Sequence, residues 1–348
     1  MQYWKNMKNI IYLLLVLSLS ANTLFAGDDY KPRISGYMFG DFYYIAASHD
    51  SSIVGADGFW FRRIYLSYDQ KIYENLHVRL RLEMASVGDL VIESEPLVPF
   101  VKDAYLRWRY HKNHELLLGI SEPPTIRVIE KGWGYRYLEK TPLDLQRMAH
   151  SRDFGIAFRG KVDSTGIFKY NIMLANGSGN KSEINSGKKI MSSFSYNPYK
   201  VWTFEAYVDW NDNNGVDDFF TWQLFAAYKS EVLSLGLLYA NQTHKTGTNT
   251  DYILEVLSAY ATFNFMEKWS LIGRVDRNFH ANPNAHKIVY IPFDDSAAST
   301  LFIAGIEFNP IEAVHLIPNV EIVVYDENDS GTTPGTEVIP RLTFFYIF

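Results

Sequence analysis

The chain has 348 residues, a formal net charge of −6 at pH 7, 47% hydrophobic and 16% aromatic residues, and no cysteine. The acidic balance argues against a nucleic-acid partner, and the missing thiols rule out a disulfide scaffold, a thiolate nucleophile and a cysteine metal site. A mean hydropathy of −0.14 is too polar for a bundle of membrane helices, yet it suits strands in which every second residue faces water.

Residues 1–26 read as a secretory leader. Lys5 and Lys8 precede the apolar run Ile10 to Leu19, which is too short to span a bilayer as a helix, and cleavage is expected after Ala26. Loss of the two lysines would leave the chain two units more negative. The stretch from Gly27 to Pro32 is too short to fold as a plug, so residues 27–348 form one domain.

From Arg33 onward, segments of period-two alternation are separated by gaps that alternate between short and long. Short gaps fall near Tyr73 to Asn75, His111 to His114, Asp163 to Gly166, Asn197 to Lys200, Lys229 to Glu231 and Phe265 to Lys268. Long gaps run near Ala47 to Asp57, Val87 to Phe100, Pro123 to His150, Gly177 to Gly187, Asn211 to Asp218, Thr243 to Thr250, Phe279 to Ser299 and Asp326 to Thr336. A soluble sandwich has no reason to sort its loops by end, whereas outer-membrane barrels keep short periplasmic turns and longer extracellular loops.

The strand faces point the same way. His77, Arg79, Arg81 and Glu83 alternate with Val78, Leu80, Leu82 and Met84, and Thr203, Glu205, Tyr207 and Asp209 alternate with Trp202, Phe204, Ala206, Val208 and Trp210. In a soluble sheet each apolar face would need a packed core. About sixteen such strands, within a range of roughly 14 to 18 and with no helical segment, instead predict an all-β, transmembrane, antiparallel up-and-down β-barrel. The 24 Tyr, 23 Phe and 8 Trp would supply its interfacial aromatic girdles. Leu342, Phe344, Tyr346 and Phe348 alternate along a last strand that resembles the signal read by outer-membrane assembly machinery. Pro340 cannot donate to a ladder, so that strand is expected to start late or to carry a bulge.

Four segments carry a family resemblance: FRRIYL from Phe61, KDAYLRW from Lys102, LLLGISEPP from Leu116, and YLEKT from Tyr137 followed by SRDFGIAFRG from Ser151. In order and spacing, between Phe59 and Val162, they resemble the phosphate- and polyphosphate-selective porin O/P family; the second half resembles porins by pattern alone. The resemblance implies an outer-membrane porin, a passive diffusion channel for small hydrophilic solutes, with anions or phosphate as the preferred class. Glu122 and Thr125 depart from it, standing where the family commonly has Lys before the double Pro and Phe after it, and this weakens the anion expectation.

In a wet pore, selectivity comes from rings or ladders of charge and from the width of the constriction. Arg79 and Arg81 are expected beside Arg107 and Arg109 on the luminal wall, with Glu83, Asp103 and Glu115 as partners, forming either a neutralised structural network or an anion path. Arg159 joins these candidates. Across the pore, Glu205, Asp209, Glu255, Asp276, Glu307 and Glu321 are set against Lys229, Lys268 and Arg274. The third long loop, around 123–150, carries Arg127, Glu130, Lys131, Arg136, Glu139, Lys140, Asp144 and Arg147 with Trp133, Tyr135 and Tyr137. It is expected to fold inward as a constriction, as in sixteen-stranded porins; the alternative is an extracellular flap.

No enzyme, cofactor or metal site is expected. His49, His150, His244, His280 and His315 are scattered without a nucleophile motif. The stretch from Asp209 to Asp218 has Gly215 one place late for a calcium loop and lacks the closing Glu. Asp294, Asp295, Asp326, Glu327 and Asp329 read as solvated loop acids, with a divalent-cation role at the cell surface as the alternative. The expected partners are outer-membrane lipid and lipopolysaccharide, small hydrophilic or anionic solutes, and, by analogy with sixteen-stranded porins, two further copies in a homotrimer. The rival readings are a plugged surface-binding or adhesion barrel and a barrel enzyme.

Overall fold

The computed structural model describes residues 30–85, 96–183, 186–213, 217–247 and 250–348, so the expected leader lies outside the described residues. Sixteen strands follow one another. The first eight are β1 (Arg33–Tyr44), β2 (Asp57–Tyr73), β3 (Leu76–Ala85), β4 (Val98–His111), β5 (His114–Ser121), β6 (Asp153–Lys161), β7 (Phe168–Ala175) and β8 (Lys189–Tyr196). The rest are β9 (Trp202–Asn211), β10 (Asp217–Lys229), β11 (Leu233–Thr246), β12 (Tyr252–Met266), β13 (Trp269–Asn278), β14 (Ser299–Ile311), β15 (Val314–Tyr325) and β16 (Glu337–Ile347). Each pairs antiparallel with its neighbours in sequence, and β16 pairs with β1 to close the barrel.

Short turns gather at one end and long loops at the other, as the gap pattern predicts. A turn at Glu312 and Ala313, which no Gly, Pro, Asn or Asp marks, completes the set. The gap expected from Thr243 begins only after Thr246, because the alternation of β11 continues into its polar tip.

Alternation decides what each face meets. On β9, Glu205, Tyr207 and Asp209 are buried in the interior while Phe204, Val208 and Trp210 stand on the outer surface. With closure there is no free sheet edge, and the outer surface is an apolar side-chain band. Pro340 is accommodated without a late start or a bulge in β16. It faces outward opposite Val320, and the ladder to β1 is interrupted beside it, stopping at Tyr43 opposite Arg341 and resuming only as the bridge of Ala47 with Val338.

Bulges shape the interior, and in β4 one leaves Lys102 as the extra residue, so that Lys102 and Asp103 are both buried inside. In β2, Phe39 opposes Arg63 and Gly40 opposes Phe61, which leaves Arg62 as the extra residue. A bulge lets consecutive residues share a face, so Arg62 and Arg63 both enter the lumen.

The expectation of no helical segment is corrected by the third long loop, which holds α1 (Pro124–Trp133) and α2 (Pro142–Leu145). Pro124 at the first turn suits a helix start, and Gly134 in the left-handed region (φ 76°) closes α1 by donating its N–H to the Glu130 carbonyl at 2.9 Å. Ile126, Ile129 and Trp133 form the buried stripe of α1. With Leu138, Leu143, Leu145 and Met148 they pack against inward side chains of β10 to β16, including Phe225, Leu238, Val256, Ile272, Ile303 and Ile339. A large part of the lumen is therefore an apolar core, to which each buried Ile or Leu contributes about 1.5–3 kcal/mol.

Candidate functional site

The third long loop is anchored to the inner wall by polar contacts as well as by its apolar stripe. Tyr135 and Tyr137 donate their hydroxyls to Glu307 of β14 at 2.9 and 2.7 Å, and the Tyr137 ring stacks on Phe345 at 4.4 Å. His315 lies 2.6 Å from the same carboxylate. Farther along, Arg274 donates to the Lys140 carbonyl at 2.5 Å and Gln242 to the Met148 carbonyl at 2.7 Å. The seventh long loop also reaches inward. Tyr290, buried and at φ 87°, donates to the Arg62 carbonyl at 3.1 Å, and the Arg62 guanidinium sits 4.7 Å from its ring. No turn or charge signal in the sequence separates this loop from the other long ones.

The charged groups at mid-barrel are paired. Arg62 lies 2.6 Å from Asp41, 3.4 Å from Glu139 and 3.6 Å from Glu321, while Arg341 lies 3.2 Å from Asp41 and 2.8 Å from Glu321. Glu83 is shared by Arg63 at 2.6 Å and Lys102 at 2.8 Å. Arg81 reaches Asp103 at 3.4 Å, and Arg152 binds the other oxygen of that carboxylate. Toward the short-turn end, Arg79 pairs with Asp69 at 2.7 Å, Arg107 lies 4.0 Å from Glu115, and Arg159 lies 2.5 Å from it. Across the lumen, Asp276 is bound by Arg274, Asp209 by Lys189 at 2.8 Å, and Glu205 accepts from Ser195 at 3.1 Å. Glu255, expected in the lumen, faces outward, because its neighbours Leu254 and Val256 take the inner face. It accepts from Tyr239 at 2.6 Å, with His280 at 3.4 Å.

Within the third loop, Arg136 is held between Glu130 at 3.1 Å and Asp144 at 3.5 Å. Burial pushes Lys140 down to about 8, partly offset by the Asp144 carboxylate. Burial disfavours the Asp144 carboxylate, yet Lys140 and Arg136 outweigh it and hold its pKa below the ordinary value.

The short-turn end differs. A luminal cavity of about 970 Å³ lies there between α1 and the walls of β4 to β10. Arg127 and Lys131 reach it from α1, and Arg109, Lys112 and Arg159 from β4 to β6 and their turn. Lys161, Lys169, Lys200 and Lys229 complete a lining of nine cations, against Glu115 as the one carboxylate among its described residues. Of the nine, only Arg127, 3.9 Å from Glu122, and Arg159 have an acid within 4.0 Å among the described residues. Burial and the Arg159 guanidinium hold the Arg127 pKa below its ordinary value, as expected for a cation crowded by its own kind. The candidates Arg109, Arg127, Lys131 and Arg159 are thus brought together here. Arg79, Arg81 and Arg136 lie elsewhere, in ion pairs.

Several solved structures share this architecture. An anion-selective porin from Comamonas acidovorans superposes with a TM-score of 0.68 at 12% identity, covering 91% of this chain and 100% of that one. Salmonella typhi OmpF, in complex with daunomycin, gives 0.66 at 14%, covering 93% and 99%. The trimer form of OmpT, an outer membrane protein of Vibrio cholerae, gives 0.64 at 11%, covering 92% and 100%. The chain has the fold of the outer-membrane porins. No family profile and no curated relative matches the sequence, so the O/P resemblance rests on its four segments.

Proposed function

We propose that this chain is a passive outer-membrane channel for small hydrophilic solutes with a preference for anions. The observation that carries the reading is the cavity at the short-turn end, where nine cations face one carboxylate inside a chain of net charge −6. A sphere of 970 Å³ has a radius of about 6 Å, within the ~10 Å Debye length at 0.1 M salt, so the field of the unpaired lysines reaches its centre. The third loop, packed across the lumen, is the constriction. The mid-barrel pairs hold that loop and the wall together.

Reversal potentials across planar bilayers in a potassium chloride gradient test this. The wild type should favour chloride, and changing Lys131, Lys161 and Lys200 to Gln should move the potential toward cations, most at low salt. Changing Arg79, Arg81 and Arg107 to Gln should lower heat stability and leave selectivity nearly unchanged. Cation preference in the wild type would overturn the reading. Replacing chloride by phosphate tests the finer expectation from the O/P-like segments. The export leader belongs to the same reading, as does a homotrimer like the trimer form reported for the Vibrio protein; native mass measurement in mild detergent should give three copies.

A further inference from the structure

The seventh long loop, residues 279–298, has two unlike sides. One carries Ile288, Ile291 and Phe293 into the luminal core, while His286 and Asp295 stand exposed on the other. At its middle the Tyr290 ring lies 4.7 Å from the Arg62 guanidinium, 5.3 Å from that of Arg63 and 5.4 Å from the Lys140 ammonium, with Trp60 edge-on at 5.2 Å. Arg63 donates to the Tyr290 hydroxyl and Arg341 to the Tyr290 carbonyl. Farther out, Asn282 donates to the Gln146 carbonyl at 2.9 Å, Arg147 donates to the Lys287 carbonyl at 3.3 Å, and Asp294 lies 4.0 Å from His49 of the first long loop.

We infer that this loop is a lid, latched by Tyr290, that opens and shuts the side of the lumen walled by β1, β2, β15 and β16. Two features oppose the shut form. Among the described residues, Arg147 (φ 60°) and Tyr290 (φ 87°) are the two non-glycine residues with left-handed backbone, and both lie where the lid meets the third loop. Bulky residues are strained there and stay only where their surroundings over-determine them. Around the latch, Asp41, Arg62, Glu139, Glu321 and Arg341 are all 4% exposed or less. Their pairing is incomplete, since Arg62 Nη2 and Glu321 Oε1 face each other at 3.6 Å and neither makes a hydrogen bond. Desolvated charges with unfilled hydrogen-bonding capacity gain from water.

Lifting the lid releases the strain and hydrates these charges. Closing it buries Ile288, Ile291 and Phe293 and sets the Tyr290 ring among three cations. Terms of opposite sign acting on one segment are what a two-state element needs. The helix α1 lacks this balance, because its apolar stripe and the bonds of Tyr135 and Tyr137 to Glu307 all favour the seated position. It is therefore the seventh loop, and not α1, that moves.

The lid rests on the channel reading above, and the experiment separates the two. Single channels of the full chain are recorded in planar bilayers for the wild type, Tyr290→Ala, which removes the ring and keeps the strain, and Tyr290→Gly, which removes both. The ratio of time at the larger conductance to time at the smaller should rise at least about tenfold in Tyr290→Ala and by less in Tyr290→Gly. In a chain without cysteine, Gln146→Cys with Asn282→Cys bridged by a short bis-methanethiosulfonate should abolish the larger level, and dithiothreitol should restore it. One conductance level in all these forms, or a rise in Tyr290→Gly that matches Tyr290→Ala, would overturn the lid and leave the channel reading intact. A chain silent in every form overturns the channel reading, and a thiol rate in detergent micelles then decides the lid alone. Ile339→Cys, buried on β16 between Glu337 and Arg341, should react with a charged methanethiosulfonate at least about tenfold faster when Tyr290→Ala is added. Equal rates would overturn the lid.

Discussion

At the scale of single residues, the interior is governed by whether a charge has a partner. Arg62 is the clearest case, almost wholly buried and held by Asp41, Glu139 and Glu321. Arg62→Met should cost about 3–5 kcal/mol by stranding buried carboxylates, toward the lower figure because Arg341 still binds two of them. Unfolding in urea followed by tryptophan fluorescence would show it, and a loss under about 1 kcal/mol would contradict the network. Lys140 titrates near 8, below an unfolded value of about 10.4. The unfolded chain binds a proton that the folded one releases between those values, so this residue makes stability rise with pH across that window. The side-chain nitrogen shift of isotope-labelled Lys140 should titrate with a midpoint near 8, and a midpoint at the unfolded value of about 10.4 would contradict its burial. Sequence reasoning set Glu83, Asp103 and Glu115 against Arg79, Arg81, Arg107 and Arg109; Arg81 does meet Asp103 and Arg107 lies near Glu115, but Glu83 is taken by Arg63 and Lys102, Arg79 by Asp69, and Arg62 was missed. Strict alternation puts only one of two adjacent arginines inside, and a bulge leaves no mark in a single sequence beyond the Arg-Arg pair itself.

Among the elements, α1 decides how much of the lumen is open. Its Trp133 indole donates to the Glu139 carbonyl at 2.9 Å, meets Tyr260 edge-on at 5.3 Å and lies 5.1 Å from the Arg274 guanidinium. Trp133→Ala should remove about 3–5 kcal/mol of packing and loosen the loop. Single-channel records should then show larger and noisier conductance, and traces like the wild type would mean that the loop does not set the narrow point. The strands were legible because period two persists over long segments with turns of ordinary chemistry. The helix was not, since a ten-residue stretch interrupted by charges gives a buried stripe of only Ile126, Ile129 and Trp133. The pair Pro123–Pro124 and the closing Gly134 were its available signals.

For the molecule as a whole, alternation sets the outer face apart from the inner one. Phe204 and Glu205 are neighbours in sequence with opposite surroundings, the first 39% exposed on the outer band and the second 3% exposed inside. Phe204→Arg should cost about 2–4 kcal/mol if it falls at the lipid midplane. Folding yield into lipid vesicles reads this directly, and a yield equal to the wild type would place the face elsewhere. The sorting of loops by end, visible in the gaps alone, fixed the barrel and its two rims. The basic chamber was hidden, because it is made by side chains such as Lys112, Lys161 and Lys200 that sit on separate turns and strand ends and become one surface only when the sheet curls.

The seam between β1 and β16 has a consequence in time. Fifteen of the pairings join strands adjacent in sequence and can zip from a turn, whereas Tyr37 meets Ile347 from the far end of the chain. Loop-closure entropy grows only logarithmically with length, so the distance itself is a modest obstacle. The order of events is the stronger constraint. Until the seam forms, β1 and β16 are open edges able to pair with any strand nearby. When it forms, Gly36 and Phe348 exchange backbone hydrogen bonds at 2.9 Å, and the Phe348 and Phe344 rings settle over Gly36 and Gly40, where a β-carbon would stand 2.3 and 2.9 Å away. Two glycines on one edge strand thus govern the moment at which the sheet stops being able to join its neighbours.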